Sequence, residues 1–580
     1  MNSFLWKIGG EAGFGIMTTG LAISKLATRS GHQIYDYAEY PSLIRGGHNT
    51  YDVLISTDKV SATKHEIDLL ICLNKATFEL HKHRLSATST VVYDPDEFVI
   101  EGEYHLVPIP FKKIRTEHNA QVVMMNTVAI GASVALMDGD INLYFTQIEE
   151  EFTRKGSEVV EYNKTFARLG YDEVKKNFSQ YIQPVLKKQS EVTERMVMTG
   201  NEAFSLAAVA ADCRFYSAYP MTPTSAVLGI LAGWAEKTGM VVRHAEDEVA
   251  VINTALGASF GGVRSAVGTS GGGFALMVEG ISYAGIAELP LVIFLGQRPG
   301  PATGMPTWTE QGDLLFAVHA GHGEFQKIVL APGDIEEMFE LTVKAFDLAD
   351  MYQLPVIILG DKLLCESHQS LETEKVTTFT ASYQPNYGKT VRTPSEQPYL
   401  RYNITDDGIS ERLIPGFEGV YYQANSYEHL EDSHTTEEAA PRIAQVQKRS
   451  RKWQTYLKND FAKPTIYGDF AKAEKVLVSW GANKGILLEA QKKAKEQGIE
   501  FAYLHFTHLY PLDTELVASY FTENKQYILV ENNSEAQFGK LLRAEVGIDL
   551  KEKWLKYDGR PWYVEELVEK LKIRFPPTRE

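Results

Sequence analysis

Short apolar runs rich in β-branched residues recur along this chain. Each is followed by a turn and a stretch of helical character. Val263 to Val267, Leu291 to Leu295 and Val356 to Leu359 are three such runs. This alternation demands a mainly parallel sheet, because two parallel strands need a crossover, and the crossover is normally a helix. It also says where a ligand belongs. In open α/β sheets that place is the crevice outside the carboxyl ends of the strands. Two turns stand there: Gly268-Thr269-Ser270-Gly271-Gly272-Gly273 and Gly296-Gln297-Arg298-Pro299-Gly300-Pro301-Ala302-Thr303-Gly304.

With 580 residues the chain is too long for one core, and about three or four domains are expected. Residues 1–185 read as a first α/β domain. It opens with a strand from Phe4 to Ile8, a glycine turn, a helix from Ile16 to Thr28 and a strand from Gln33 to Tyr37, a parallel α/β unit. A second α/β domain is expected over 196–367. Residues 368–460 lose apolar periodicity and read as a connector draped over other domains or a partner, ending in a basic linker helix from Arg442 to Leu457. Within it Asn425, Glu428, His429, Glu431, Asp432 and His434 read as a solvated polar loop rather than a metal site. The last domain, 465–580, restarts with a strand from Lys475 to Ser479. Further strands are expected at Phe501 to Leu504 and Tyr527 to Val530. Glu531-Asn532-Asn533 at the end of the last either faces an interface or caps the next segment.

The first glycine turn, Gly9 to Gly15, invites a nucleotide reading, since glycines let backbone N–H groups approach phosphates. The dinucleotide fingerprint fails: after Gly13 and Gly15 its third glycine would fall on Thr18. Asp36 does stand where a ribose-binding acid would. A tight packing turn explains the glycines at least as well.

The net charge of −17 and pI near 5.5 argue against nucleic acid or an anionic membrane as partner. Cys72, Cys213 and Cys365 are scattered, so a disulfide framework is not expected and a reducing cytoplasm is. Three separate thiols cannot hold an iron–sulfur cluster, and no metal site is expected. No apolar run is long enough to cross a bilayer, and the N-terminus lacks the apolar stretch of a signal peptide.

Three segments carry chemistry. Glu248 stands in Ala245-Glu246-Asp247-Glu248-Val249-Ala250, ahead of a helix of small residues; acids also gather at helix starts for the dipole alone. Ala218-Tyr219-Pro220-Met221-Thr222-Pro223-Thr224-Ser225 holds a hydroxyl between prolines that fix the local backbone. Arg298 sits in a loop of Pro and Gly, where its guanidinium could grip a carboxylate bidentately. A fourth segment, Tyr40-Pro41-Ser42-Leu43-Ile44-Arg45-Gly46-Gly47-His48-Asn49, reads as a surface turn bearing a cation.

Together these segments resemble the alpha chain of the 2-oxoacid:ferredoxin oxidoreductases, with Met221 where that family's Tyr-Pro-Ile-Thr-Pro motif has Ile. The start of the chain resembles the gamma domain that some members fuse ahead of alpha. The resemblance covers nearly the whole chain. It implies a gamma-type α/β domain, a thiamine diphosphate pyrimidine-binding domain and a transketolase C-terminal-like domain, all α/β with mainly parallel sheets. It implies oxidative decarboxylation of a 2-oxoacid to acyl-CoA and CO2, with electrons leaving to ferredoxin. Glu248 then matches the acid that holds the cofactor's aminopyrimidine, while Thr222 and Arg298 match substrate contacts. Tyr219, Pro220, Thr269, Ser270 and Gly271 fall in the cofactor's surroundings. Arg45, Gly46 and Gly47 fall in a loop facing the coenzyme A region. The chain has no Gly-Asp-Gly, so the diphosphate, Mg2+ and a [4Fe–4S] cluster are expected on a beta subunit. Two other readings stand beside this one: a non-redox thiamine diphosphate component and a NAD-dependent dehydrogenase.

Overall fold

The computed structural model describes residues 3–42, 47–190 and 192–576. Three large sheets organise it, each with helices packed on its faces. The central one has seven strands, in the spatial order His508–Tyr510, Ile328–Leu330, Pro355–Asp361, Leu291–Gln297, Arg264–Ser270, Cys213–Ala218 and Val241–His244. All pairings are parallel except that of the edge strand His508–Tyr510, which comes from the last domain. The strands Pro355–Asp361, Leu291–Gln297 and Arg264–Ser270 are buried throughout. For Leu291–Gln297 and Pro355–Asp361 that explains the near-continuous apolar sequences, since strands covered on both faces do not alternate.

The first sheet has eight strands in the order His105–Pro108, Thr90–Tyr93, Leu69–Cys72, Ser3–Glu11, His48–Ser56, Gln33–Glu39, Gln369–Glu372 and Arg195–Met198. The strands expected near Phe4 and Gln33 are parallel to each other but do not touch. His48–Ser56 runs between them, antiparallel to both. The far end of the sheet differs from the expected division of the chain. Gln369–Glu372, expected as connector, and Arg195–Met198 add on antiparallel. Ile34 N–H donates to the Ser370 hydroxyl, and Asp36 N–H to the His368 carbonyl. These residues cover what would otherwise be an open edge.

The last domain has a five-stranded sheet: Thr465–Tyr467, Ala502–Phe506, Lys475–Trp480, Gln526–Glu531 and Glu552–Leu555. All its pairs are parallel except that of Thr465–Tyr467.

The connector is draped over the central domain, with Arg401, Tyr402 and Leu413 buried. Its helix runs Ala439–Asn459 and is no mere linker. Lys448 and Lys452 are buried against the fully buried Glu288, each at 2.6 Å. Arg401 donates to the Glu288 carbonyl at 2.9 Å. The loop expected to be solvated is also packed. His429 is buried and stacks on Tyr402 with ring centroids 3.6 Å apart, and Glu428 pairs with Arg442 and Arg449. No described helix is long and apolar enough to cross a membrane.

Candidate active site

The site lies at the carboxyl ends of the central strands. Cys213–Ala218 runs into the Tyr-Pro-Met-Thr-Pro turn, Arg264–Ser270 into the glycine run, and Leu291–Gln297 into the arginine loop. The three turns are tied together. Arg298 donates from Nη1 to the Thr222 carbonyl at 2.9 Å. The Thr224 hydroxyl donates to the Thr269 carbonyl at 3.2 Å. Asn201 donates to the Pro223 carbonyl at 2.8 Å. Tyr219 is exposed, its ring 6.1 Å from that of His244, and Pro220 is exposed beside it.

Of the three neighbouring acids, only Glu248 points inward. Asp247 is the N-cap of the helix Glu248–Phe260, its carboxylate accepting from Ala250 N–H at 2.7 Å, the usual work of Asp there. Glu246 is exposed and 3.7 Å from Arg243. Glu248 opens the helix and is 4% exposed, and its Oε1 is buried with no hydrogen-bond partner among the described residues. The carboxylate lies against Gly273 and the Thr269 hydroxyl, in space that a Cβ on Gly273 would fill. Thr269 and Ser270 are fully buried, and the Ser270 hydroxyl is likewise unpartnered. Gly271 begins the helix Gly271–Ile286. Buried polar atoms without partners are rare and costly. Among the described residues several gather near this sheet end, since the Tyr216 and Ser217 hydroxyls and Asn201 Oδ1 are unpartnered as well.

Sequence reasoning missed two acids. The arginine loop continues past Gly304 to Asp313, whose N–H donates back to the Gln297 side chain at 3.0 Å. A Cβ on Gly271 would come 2.9 Å from Asp313 Oδ2, so this acid lies between the glycine run and the arginine. Burial pushes the Asp313 carboxyl up to about 6, and Arg298 works against that rise. Glu310 is pushed up to about 7 by burial and by the charge of Asp313. Burial also lowers the Arg298 pKa, and Asp313 opposes that. The sequence signal was two acids three residues apart at the end of a Pro/Gly loop that leaves a strand.

Glu248, Thr222, Arg298, Tyr219, Pro220, Thr269, Ser270 and Gly271 thus gather at one sheet end. Arg45 and Gly46 lie outside the described residues. Gly47 belongs to the first sheet's region; its carbonyl accepts from Ala12 N–H at 3.1 Å, tying the loop to the first glycine turn. Asp36 does not face a ligand. It is buried, accepting from Tyr51 at 2.6 Å and Ser24 at 2.9 Å, with His368 beside it. That removes the ribose-binding acid the dinucleotide reading needs. The three cysteines are free and buried, and the described residues include no group of three His, Cys, Asp or Glu that could hold a metal.

A buried carboxylate at the start of a helix, its Oε1 unpartnered among the described residues, faces the end of a parallel sheet and is placed to accept a hydrogen bond from a ligand. Comparison with known proteins gives the family. The family model for pyruvate flavodoxin/ferredoxin oxidoreductase, thiamine diphosphate-binding, matches residues 206–448. That for pyruvate ferredoxin/flavodoxin oxidoreductase matches residues 5–173. The alpha subunit of 2-oxoacid:ferredoxin oxidoreductase 1 from Sulfurisphaera tokodaii is 31% identical, over 98% of this chain and 97% of that one. The corresponding Saccharolobus solfataricus subunit is 30% identical, again over 98% and 97%. The 2-oxoglutarate:ferredoxin oxidoreductase from Magnetococcus marinus, solved with 2-oxoglutarate, coenzyme A and succinyl-CoA bound, superposes with a TM-score of 0.92 at 29% identity, over 99% of each chain.

The chain belongs to the 2-oxoacid:ferredoxin oxidoreductase family, as an alpha subunit with the gamma-type domain fused ahead of it. It is a subunit of a thiamine diphosphate-dependent oxidoreductase acting on 2-oxoacids.

Proposed function

We infer that this chain works in the cytoplasm with a beta subunit. That subunit brings the diphosphate and Mg2+ half of the cofactor site and a [4Fe–4S] cluster, and the pair converts a 2-oxoacid and coenzyme A to acyl-CoA and CO2 while reducing ferredoxin. The observation that carries this reading is the Glu248 Oε1, buried and without a hydrogen-bond partner among the described residues. Around it the surface is open, with apolar side chains among charged ones such as Arg243 and Glu246. Val249, Leu276, Tyr219 and Val241 are exposed, and a Cβ on Gly229, Gly233, Gly257 or Gly272 would meet nothing. Such a face suits a protein partner. Three isolated, buried thiols leave the cluster to that partner.

Bound thiamine diphosphate supplies the nucleophilic carbon and the electron sink for decarboxylation. The residues of this chain do the rest. Glu248 would hold a proton on the aminopyrimidine and orient the ring. Thr269, Ser270, Gly271, Tyr219 and Pro220 would supply the cofactor's surroundings. Arg298 grips the substrate carboxylate, with Thr222 offering a neutral donor beside it. The donor set is charge-assisted where the substrate is charged. Arg45, Gly46 and Gly47 serve the coenzyme A phosphates, on the first domain.

The test is co-purification with the partner, then turnover of pyruvate, 2-oxoglutarate and branched-chain 2-oxoacids with coenzyme A and a viologen dye. The chain alone is expected to hold no iron and to turn nothing over. In the complex, Arg298→Ala is expected to lower kcat/KM for the 2-oxoacid at least tenfold, the equivalent of losing a charged hydrogen bond of about 1.5–3 kcal/mol. Stoichiometric iron in the pure single chain, or an unchanged kcat/KM, would overturn the reading.

A further inference from the structure

The last domain contributes none of the residues assigned to the site, yet it is bonded to the loop that carries Arg298. That loop leaves the sheet at Gln297 and returns at Asp313, where the Gln297 side chain accepts the Asp313 N–H. It is thus an Ω-loop closed at its base. Its far side docks on the last domain. Gln311, 1% exposed, makes the centre of the contact. Its Nε2 donates to the Trp480 carbonyl at 2.9 Å. Its Oε1 accepts from Asn483 Nδ2 and from Asn532 N–H, each at 3.0 Å. Its backbone N–H donates to the Asn532 carbonyl at 2.7 Å, and its carbonyl accepts from Asn533 Nδ2 at 3.1 Å. Both its backbone polar groups and both its side-chain polar atoms are therefore spent on two strand ends of the other domain, Lys475–Trp480 and Gln526–Glu531.

Neighbouring contacts extend the dock. Gln537 donates to the Gly312 carbonyl at 2.6 Å and accepts from Leu315 N–H at 2.9 Å. Thr309 N–H donates to the Gly559 carbonyl at 3.1 Å, and the Arg560 guanidinium lies 3.5 Å from the centroid of the Trp308 ring. On the other side of Gln311, Asp313 lies against Gly271 at the site.

We propose that Gln311 is a positioning residue: by pinning the Ω-loop to the last domain it sets where Arg298 stands over the Thr222 turn, so that this domain tunes 2-oxoacid binding without touching the substrate. This rests on the role given to Arg298 under the proposed function. A loop is a poor platform for a binding group unless other contacts lock it. Among the described residues, the Arg298 guanidinium donates to the Thr222 carbonyl alone. The remaining constraint reaches it through its own loop.

The experiment uses the assembled complex. Gln311→Ala is expected to raise KM for the 2-oxoacid about tenfold with kcat changed less than about threefold, the pattern of lost ground-state binding. Thiamine diphosphate affinity is expected to stay within about twofold, since Glu248 sits on another element. Gln537→Ala, which removes one peripheral tie, is expected to raise KM about threefold. Each variant is then remade on an Arg298→Lys background. If Gln311 acts through Arg298, its effect there shrinks to less than about twofold, because coupled residues are non-additive. A wild-type KM in folded Gln311→Ala overturns the proposal, as does a full effect persisting on the Arg298→Lys background. Should Gln311→Ala fail to assemble, Gln537→Ala carries the same test with the same outcomes. If Arg298→Lys itself leaves KM unchanged, the assignment of the arginine fails; if Arg298→Lys raises KM and Gln311→Ala does not, only the positioning proposal fails.

Discussion

The carboxylate of Glu248 lies against Gly273, in the volume that a methyl group on that glycine would occupy, with the Thr269 hydroxyl on the same spot. Two helices are locked here by one missing side chain. The helix Glu248–Phe260 can aim its first residue inward only because the helix Gly271–Ile286 begins with glycines.

Gly273→Ala probes that lock. In an unconstrained helix this change would stabilise by roughly 0.5–1 kcal/mol. Here the new methyl must displace the Glu248 carboxylate. Thiamine diphosphate binding to the complex is expected to weaken at least about tenfold, a loss of some 1.4 kcal/mol, while the far-ultraviolet circular dichroism stays the same. Titration of the cofactor checks this, and wild-type affinity would mean that Glu248 can leave its place without cost.

Glu248→Gln separates geometry from charge. The amide is nearly isosteric, so fold and partner binding should survive. It cannot stabilise a protonated pyrimidine, so proton exchange at the cofactor's thiazolium carbon should slow by at least about a hundredfold, within the range a positioned acid or base contributes. Glu246→Gln, on an exposed side chain, should exchange as wild type. Equal exchange in both variants would leave Glu248 as a helix start and nothing more.

Much of this was legible in the sequence, for physical reasons. The strands Leu291–Gln297 and Pro355–Asp361 are mostly apolar and, like Arg264–Ser270, contain β-branched residues, and the glycine run and arginine loop follow Arg264–Ser270 and Leu291–Gln297 directly, so the sheet end could be read before any fold. What could not be read was long-range. Gln369–Glu372 is a short polar strand with no periodicity of its own; it exists because the edge at Gln33–Glu39 accepts it. The basic helix read only as a linker, and the burial of Lys448 and Lys452 rests on Glu288, far away in sequence. The nearness of Asp313 to Gly271 depends on the loop folding back.

Glu310 and Asp313 should make stability depend on pH. Their carboxyls are held up at about 7 and about 6, above the ordinary carboxylate values near 4. The folded chain therefore holds protons that the unfolded chain has released across this window. Stability from these groups is present at low pH and lost as pH rises through 6 to 7. Glu310→Gln and Asp313→Asn should each raise the melting temperature at pH 8, by the equivalent of at most about 2 kcal/mol, and should gain nothing at pH 4.5. Thermal melts of the wild type and both variants across that range check it. A gain of the same size at both pH values would mean that packing, not ionisation, is responsible.

The buried triad of Lys448, Glu288 and Lys452 gives an opposite pair of expectations. Glu288 is held well below the usual carboxylate range by the two ammonium groups, despite its burial. Lys448 is pulled down to about 7, mainly by burial. One anion thus serves two cations, with Arg401 close by as a third. Removing the anion by Glu288→Gln leaves both lysines buried without a counter-charge, a loss expected at about 3–5 kcal/mol. Removing a cation is different. Lys448→Met keeps the Glu288–Lys452 pair and fills a fully buried position with an apolar chain of similar length. It should be neutral to within about 1 kcal/mol, or stabilising, at pH 7. The Lys448 shift sets a second signature. Its folded pKa lies below the unfolded value near 10.4, so the unfolded chain binds the extra proton between about pH 7 and 10 and stability from this group rises with pH there. Lys448→Met should abolish that rise. Denaturant melts at pH 7 and pH 9.5 measure both effects, and a Lys448→Met variant as damaged as Glu288→Gln would show that the second lysine is needed to balance the site.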